Sequence, residues 1–561
     1  MKAIACFLLL ALALFAQKPA PQSQPQPQLA APPETKPEDL CTIEGQVFSL
    51  ATGAPVPKAE VILRGAQRPA NGPAMPLSYS TVSDAGGNFI MKDLEPGKYR
   101  LSIQRTGYVS FNYGSHGPAR ARTLLSLDPG HRLKDLVARL TPHAIITGHV
   151  IDDNNEPVVS GQVEAMRYSY QLGRKQMIAA GSASTNDLGE YRIYGLAPGR
   201  YYLAARPGDE VYENVDRSAV LPAENCVRTY YPGTIDPAAA APLEVGPGMQ
   251  MRGVNLSLAK ARTFRVRGRV EGRSNVNVTF VPRGQRRWMY PNSEFMTGPK
   301  GIFEINRVLP GVYSLSATAW DGQKIYSALQ DVDVGESNIE DLVLTLAPGV
   351  EIGGHFEVQG TAAPNLDSMN VYLRPQDEIG MMYPSAGAHS QDGTFTISNV
   401  ALEAYSLQVT GSPDGYWVKS ILMGDQEVKD TGIDLAHSPA APLTVTLAPN
   451  AAQIDGVVLN ERQQPAAGAM VVLVPEQKLR EQSGAYKTAS SDQNGRFTFK
   501  NLDPGDYTLF AWEDVEYGAY MDPNFLKPVE DRGQPVSLQE GGRESVQLNM
   551  IPADAAVKSQ R

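Results

Sequence analysis

Seven histidines, at positions 116, 131, 143, 149, 355, 389 and 437, are the side chains of this chain best suited to general acid–base work or metal ligation. None begins an H-x-x-E and none stands in H-E-x-x-H, the spacings that present zinc ligands together. No G-x-S-x-G elbow and no phosphate-binding P-loop occurs. These absences point away from an enzyme, a metal or a cofactor; a hydrolase assembled from dispersed residues stays open, because such sites need not be local in sequence. His149 and His355 occupy one strand position where other copies of a repeat have Gln46, Arg269 and Val457. That variety reads as a tolerated strand site. Asp84, Asp187, Asp392 and Asp492 precede turn glycines. Calcium needs several oxygens together. Each of these carboxylates stands nearly alone, so it reads as the acceptor of an Asx-turn.

Sugar recognition would need a flat apolar ring with amides or carboxylates nearby. Trp288, Trp320, Trp417 and Trp512 each have such company, in RRWMYPN, AWDGQK, PDGYWVK and AWEDVEYGAY. They share no common position, so either each serves its own surface or the rings pack at loops and junctions. Tyr230 and Tyr231, in TYYPGTIDP, form either a contact loop or a binding surface.

The elements that must hold these residues repeat. DAGGNFIMKDLEPGKYRL (84–101), NDLGEYRIYGLAPGRYYL (186–203), GPKGIFEINRVLPGVYSL (298–315), QDGTFTISNVALEAYSL (391–407) and DQNGRFTFKNLDPGDYTL (492–509) are copies of one block. An aromatic and a tyrosine lie ten residues apart in each: Phe89/Tyr99, Tyr191/Tyr201, Phe303/Tyr313, Phe395/Tyr405, Phe497/Tyr507. Successive copies are 102, 112, 92 and 102 residues apart, a domain-sized period. A strand with a central glycine precedes each block, at Gly45, Gly148, Gly268, Gly354 and Gly456. Alternating apolar runs such as LVARL, LVLTL and VQLNM close the copies. Period-two alternation between Gly, Pro, Asn and Asp predicts short antiparallel strands, roughly seven per unit of about 100 residues: an all-β tandem array of five β-sandwiches.

Within the block, Phe497 and Phe499 face a core, Pro504 and Gly505 make a turn, and Tyr507 opens the next strand. A tyrosine so placed is expected to bond back to upstream backbone, as a tyrosine corner. Tyr99, Tyr201, Tyr313, Tyr405 and Tyr507 are therefore read as joints rather than five equal ligand sites. In the fourth copy Glu403-Ala404 replace Pro-Gly, and a looser corner is expected there.

Composition bounds the partners. The 561 residues carry a formal charge of −10, which argues against nucleic acid or an anionic membrane as partner. Residues 1–16, MKAIACFLLLALALFA, have the layout of a secretory signal peptide, and residues 17–40 read as a Pro/Gln-rich tether. No other apolar run is long enough to span a bilayer, so an exported chain, periplasmic or at the cell surface, is expected. Beyond Cys6 only Cys41 and Cys226 remain; they are either bridged or two unpaired residues.

The pattern G-x-V, a Pro turn, then D-x-x-G-x-F-x-[IF]-x-x-L-x-P-G-x-Y-x-L resembles the carboxypeptidase regulatory-like domain family from residue 41 to about 550. The resemblance implies a transthyretin-like, carbohydrate-binding-like β-sandwich, an accessory rather than catalytic module, in a large secreted protein. The expected division is β-sandwiches over 41–142, 143–260, 261–348, 349–449 and 450–553, with a tail at 554–561. Polysaccharide is the ligand class the resemblance suggests, with an envelope or extracellular protein as the other partner class. A spacer or protein-interaction scaffold with no small ligand is the alternative.

Overall fold

The computed structural model describes residues 36–66, 77–114, 124–171, 173–208, 224–283, 294–298, 300–361, 364–376 and 386–553. The expected signal peptide, most of the tether, Trp288 and the tail lie outside them. Strands are the dominant element among the described residues, and their one α-helical turn is Pro523–Leu526. None of their helices is long and apolar enough to cross a membrane.

Five hydrophobic cores follow one another along the chain. They draw on residues between Cys41 and Leu140, Ala144 and Leu258, Phe264 and Leu344, Ile352 and Leu447, and Ala452 and Leu548. Each core lies between two sheets, the first of which always has the opening strand between the aromatic-bearing strand and the closing strand. In the first unit, strand Cys41–Ser49 sits between Asn88–Leu94 and Arg132–Leu140, facing a sheet centred on Glu60–Gly65 and Gly97–Gln104. Ala144–Ile151, Phe264–Glu271, Val350–Val358 and Ala452–Leu459 are the matching first strands.

One feature departs from the expected antiparallel pattern. The closing strand runs parallel to the first strand in every unit. It arrives by a crossover from the other sheet rather than through a hairpin, so its direction is not forced to reverse.

The recurring glycine and the recurring aromatic prove to be one device. Gly45 pairs with Phe89, Gly148 with Tyr191, Gly268 with Phe303, Gly354 with Phe395 and Gly456 with Phe497 on the neighbouring strand. The ring lies across the glycine. A Cβ at Gly45 would stand 2.7 Å from Phe89 Cζ, and one at Gly268 would stand 2.5 Å from Phe303 Cζ, inside van der Waals contact. Any side chain at the glycine would displace the ring from the core.

Candidate functional site

The tyrosines of the repeated block are bonded within their own units. Each hydroxyl donates to the carbonyl four residues upstream: Tyr99 to Glu95 (2.7 Å), Tyr201 to Ala197 (2.6 Å), Tyr313 to Leu309 (2.9 Å), Tyr405 to Ala401 (3.0 Å) and Tyr507 to Asp503 (3.0 Å). Burial pushes the Tyr99, Tyr201 and Tyr507 hydroxyls above their ordinary range, so they stay protonated donors. In four copies the glycine after the proline has φ between 151° and 159°, backbone that favours glycine. The fourth copy was expected to be looser, but its bond is as short as that of Tyr507. The contact depends on the tyrosine and the carbonyl four residues back, which Glu403-Ala404 leave in place.

The turn before the aromatic shares one side-chain acceptor design in the first, second and fifth units. Asp84 Oδ1 accepts from the amides of Gly86 and Asn88, both at 2.8 Å, and Asp492 Oδ1 from Asn494 (2.9 Å) and Arg496 (2.8 Å). These hydrogen bonds, led by the Asn88 side chain, hold the Asp84 carboxyl below the usual range. In the second unit the acceptor is Asn186, to Leu188 (3.0 Å) and Glu190 (2.8 Å), and not Asp187. In the fourth unit Asp392 occupies a tighter turn closed by Gln391 and Thr394, with φ 50°. Among the described residues no three His, Cys, Asp or Glu side chains gather closely enough to hold a metal ion.

The candidate sugar platforms are scattered. Trp512 is fully buried, stacked on Phe510 at 5.2 Å. Trp417 is half-buried beneath Lys429 Nζ, 5.4 Å from its ring, and that ammonium donates to Val418 O (2.6 Å) and pairs with Asp503 of the fifth unit (2.8 Å). Trp320 alone of the three described tryptophans is open, 55% exposed at the end of strand Gly311–Asp321. Tyr230 is buried against Met166, Met177 and Ala204 of its own unit. Tyr231 is half-buried; its amide donates to Leu203 O (2.8 Å) and its carbonyl accepts from Ala241 (2.8 Å), so this loop is bolted to its sheet. Cys41 is buried in the first core with its thiol on Asp128 O at 3.1 Å, and Cys226 is half-buried in the second unit. Both thiols are free, because the two residues belong to different cores.

Reading the sequence missed the residues that join the units. The amides of His143, Gly349 and Ala451, each five residues before a central glycine, donate to Gly107 O (2.9 Å), Ile325 O (2.8 Å) and Gly415 O (2.9 Å) of the preceding unit. Asn399 Oδ1 accepts from the Ile325 amide at 3.3 Å, and Asn501 Oδ1 from the Gly415 amide at 3.0 Å. Both asparagines stand six residues before a corner tyrosine, with φ of 59° and 54°. Asparagine tolerates this left-handed backbone, which was the available signal.

The fold and these joints define a tandem array of β-sandwich units coupled through their turns. Residues 42–127, in the first unit, and residues 453–540, in the fifth, match the carboxypeptidase regulatory-like domain family. No curated protein matches the chain. Among solved structures it is similar to GBS52, the minor pilin of Streptococcus agalactiae, at 11% identity over 40% of this chain and 97% of that one, with a TM-score of 0.23. It is also similar to BcpA, the major pilin subunit of Bacillus cereus, at 10% identity over 73% of this chain and 99% of that one, with a TM-score of 0.15.

Proposed function

We propose that the chain is an exported, non-catalytic scaffold that spaces and presents its units outside the inner membrane, with an envelope or extracellular protein as partner. The observation that carries this reading is the burial of Trp512. A ring that would serve as a sugar platform is instead committed to the packing of the fifth unit, and Trp417 lies under a cation that bridges the fourth and fifth units. The corner tyrosines are likewise engaged by their own backbones. Export rests on the apolar leader at residues 3–15.

Carbohydrate binding is the second reading, favoured by the exposure of Trp320 beside Asp321, which pairs with Arg273 at 3.2 Å. The two readings separate in a binding screen of the mature chain against bacterial and plant polysaccharides. A scaffold shows no saturable binding. Saturable binding that Trp320→Ala abolishes, with the melting temperature unchanged, would overturn the scaffold reading and establish a lectin-like surface on the third unit.

A further inference from the structure

Two of the segments that depart from the repeat meet each other. In four units the strand opening the second sheet has six residues: Glu60–Gly65, Asn277–Pro282, Asn370–Pro375 and Met470–Pro475. In the second unit it has ten, Gln162–Gln171, and its hairpin partner Arg174–Ser184 has eleven. The fifth unit has its own departure after the tyrosine strand, a run of short helical turns through Ala519–Met521, Pro523–Leu526 and Lys527–Arg532.

The extended hairpin ends on these turns. Tyr170 is 8% exposed and belongs to a hydrophobic cluster whose other buried members, among them Val474, Phe510, Trp512 and Phe525, come from the fifth unit. Its ring meets Phe525 edge-on at 5.8 Å. Glu516 Oε1 accepts from the Tyr170 amide at 3.2 Å and from the Ser169 hydroxyl. Burial, with the charges of Asp522 and Glu516, pushes the Tyr170 hydroxyl up to about 12. Gly173, at φ 82°, turns the hairpin where a Cβ would stand 2.9 Å from that of Met521. Glycine is thus required there by the turn and by the contact.

The receiving face is built for cover. Strand Met470–Pro475 is buried on both faces over Val471–Pro475, whereas Glu60–Gly65 in the first unit alternates buried with open. A strand apolar on both sides needs a second layer. The helical turns supply most of it and Tyr170 the rest.

We propose that residues 513–533 of the fifth unit form a receptor site for an aromatic hairpin, filled within the same chain by Ser169–Tyr170–Gly173 of the second unit. The contact closes a circuit that already runs from the second unit to the third through the pairing of Glu224–Cys226 with Lys260–Arg262, the segment that leads into the third unit, then to the fourth through Asn399 and to the fifth through Asn501. The second to fifth units form a closed assembly, and the first unit stands outside it on the Gly107–His143 joint. The array is then not a rod whose length grows with each unit.

The test uses the full mature chain in a Cys226→Ser background. Gly173→Cys with Met521→Cys places two sulfurs near disulfide reach, since bridged Cβ atoms lie about 3.5–4.5 Å apart. Ser169→Cys with Glu516→Cys repeats the test without altering the turn glycine. The expected result is an oxidised species that migrates faster than the reduced chain as a monomer, with either pair. Tyr170→Ala with Glu516→Ala should enlarge the radius of gyration in small-angle X-ray scattering while the far-ultraviolet spectrum stays that of β-sheet. Failure of both pairs to bridge overturns the proposal, as does bridging only between two chains, or scattering from the unaltered chain that is already extended and insensitive to the substitutions.

Discussion

Asn501 belongs to the fifth unit, yet its side chain is bonded to the fourth. Its Oδ1 accepts from Gly415 N at 3.0 Å, and its Nδ2 donates to Ser412 O (3.2 Å) and Pro413 O (3.3 Å). With φ at 54°, the residue is held in left-handed backbone by the same block that positions Tyr507. The repeat therefore has two outputs, a corner inside each unit and a staple between units. Asn501→Gly keeps the backbone and loses the staple, at a cost of about 1 kcal/mol. Asn501→Ala adds roughly 1–2 kcal/mol of left-handed strain and should be the worse substitution. Hydrogen exchange at the Gly415 amide is expected to quicken in both variants.

Gly456→Ala should destabilise the fifth unit by about 1–3 kcal/mol, the range for forcing an extra carbon into a packed core. The new methyl meets the ring of Phe497 and the carbonyl of Val546. Phe497→Leu in the same chain should recover part of the loss, giving a non-additive double-mutant cycle in thermal unfolding. An additive cycle would mean that the ring does not set the requirement for glycine.

Tyr405→Phe and Tyr507→Phe should cost similar amounts, about 0.5–1.5 kcal/mol each, because each removes one hydroxyl hydrogen bond to a carbonyl, that of Ala401, which keeps the Glu403 amide as a donor, or that of Asp503. The near-equality is the informative part. A much smaller loss at Tyr405, measured by denaturant unfolding, would show that Pro-Gly rather than the hydroxyl pins the corner.

His143 sits at the joint between the first and second units, its amide on Gly107 O at 2.9 Å. Burial lowers its pKa below the ordinary value of 6.5. The unfolded chain therefore takes up the proton first as pH falls, so this residue's contribution is full at pH above about 7 and declines as pH drops through about 6.5. His143→Asn should remove that part of the slope, seen as a smaller difference in melting temperature between pH 7.5 and pH 5.5 than in the parent chain.

Much of the fold was legible because its signals are local. The ten-residue aromatic–tyrosine spacing and the central glycines mark every unit, and the corner bonds span four residues. What stayed hidden depends on long separations. The parallel closing strand is invisible to alternation, which has the same period in either direction. The acceptor at Asn186 instead of Asp187 is a one-residue register that only the turn geometry decides. The polar company of Trp512 left it open between a surface and a packed junction, and the turns at 519–532, which cover it, decide for packing. The Ser169–Glu516 contact joins residues 347 apart, with no pattern in either segment to pair them.

The most direct measurement is the solvent access of Trp512 in a chain whose other three tryptophans are replaced by phenylalanine. A ring packed inside the fifth unit gives blue-shifted emission that acrylamide does not quench, and no change on adding polysaccharide. Red-shifted, freely quenched emission that polysaccharide protects would place the ring at a ligand surface and contradict the scaffold reading.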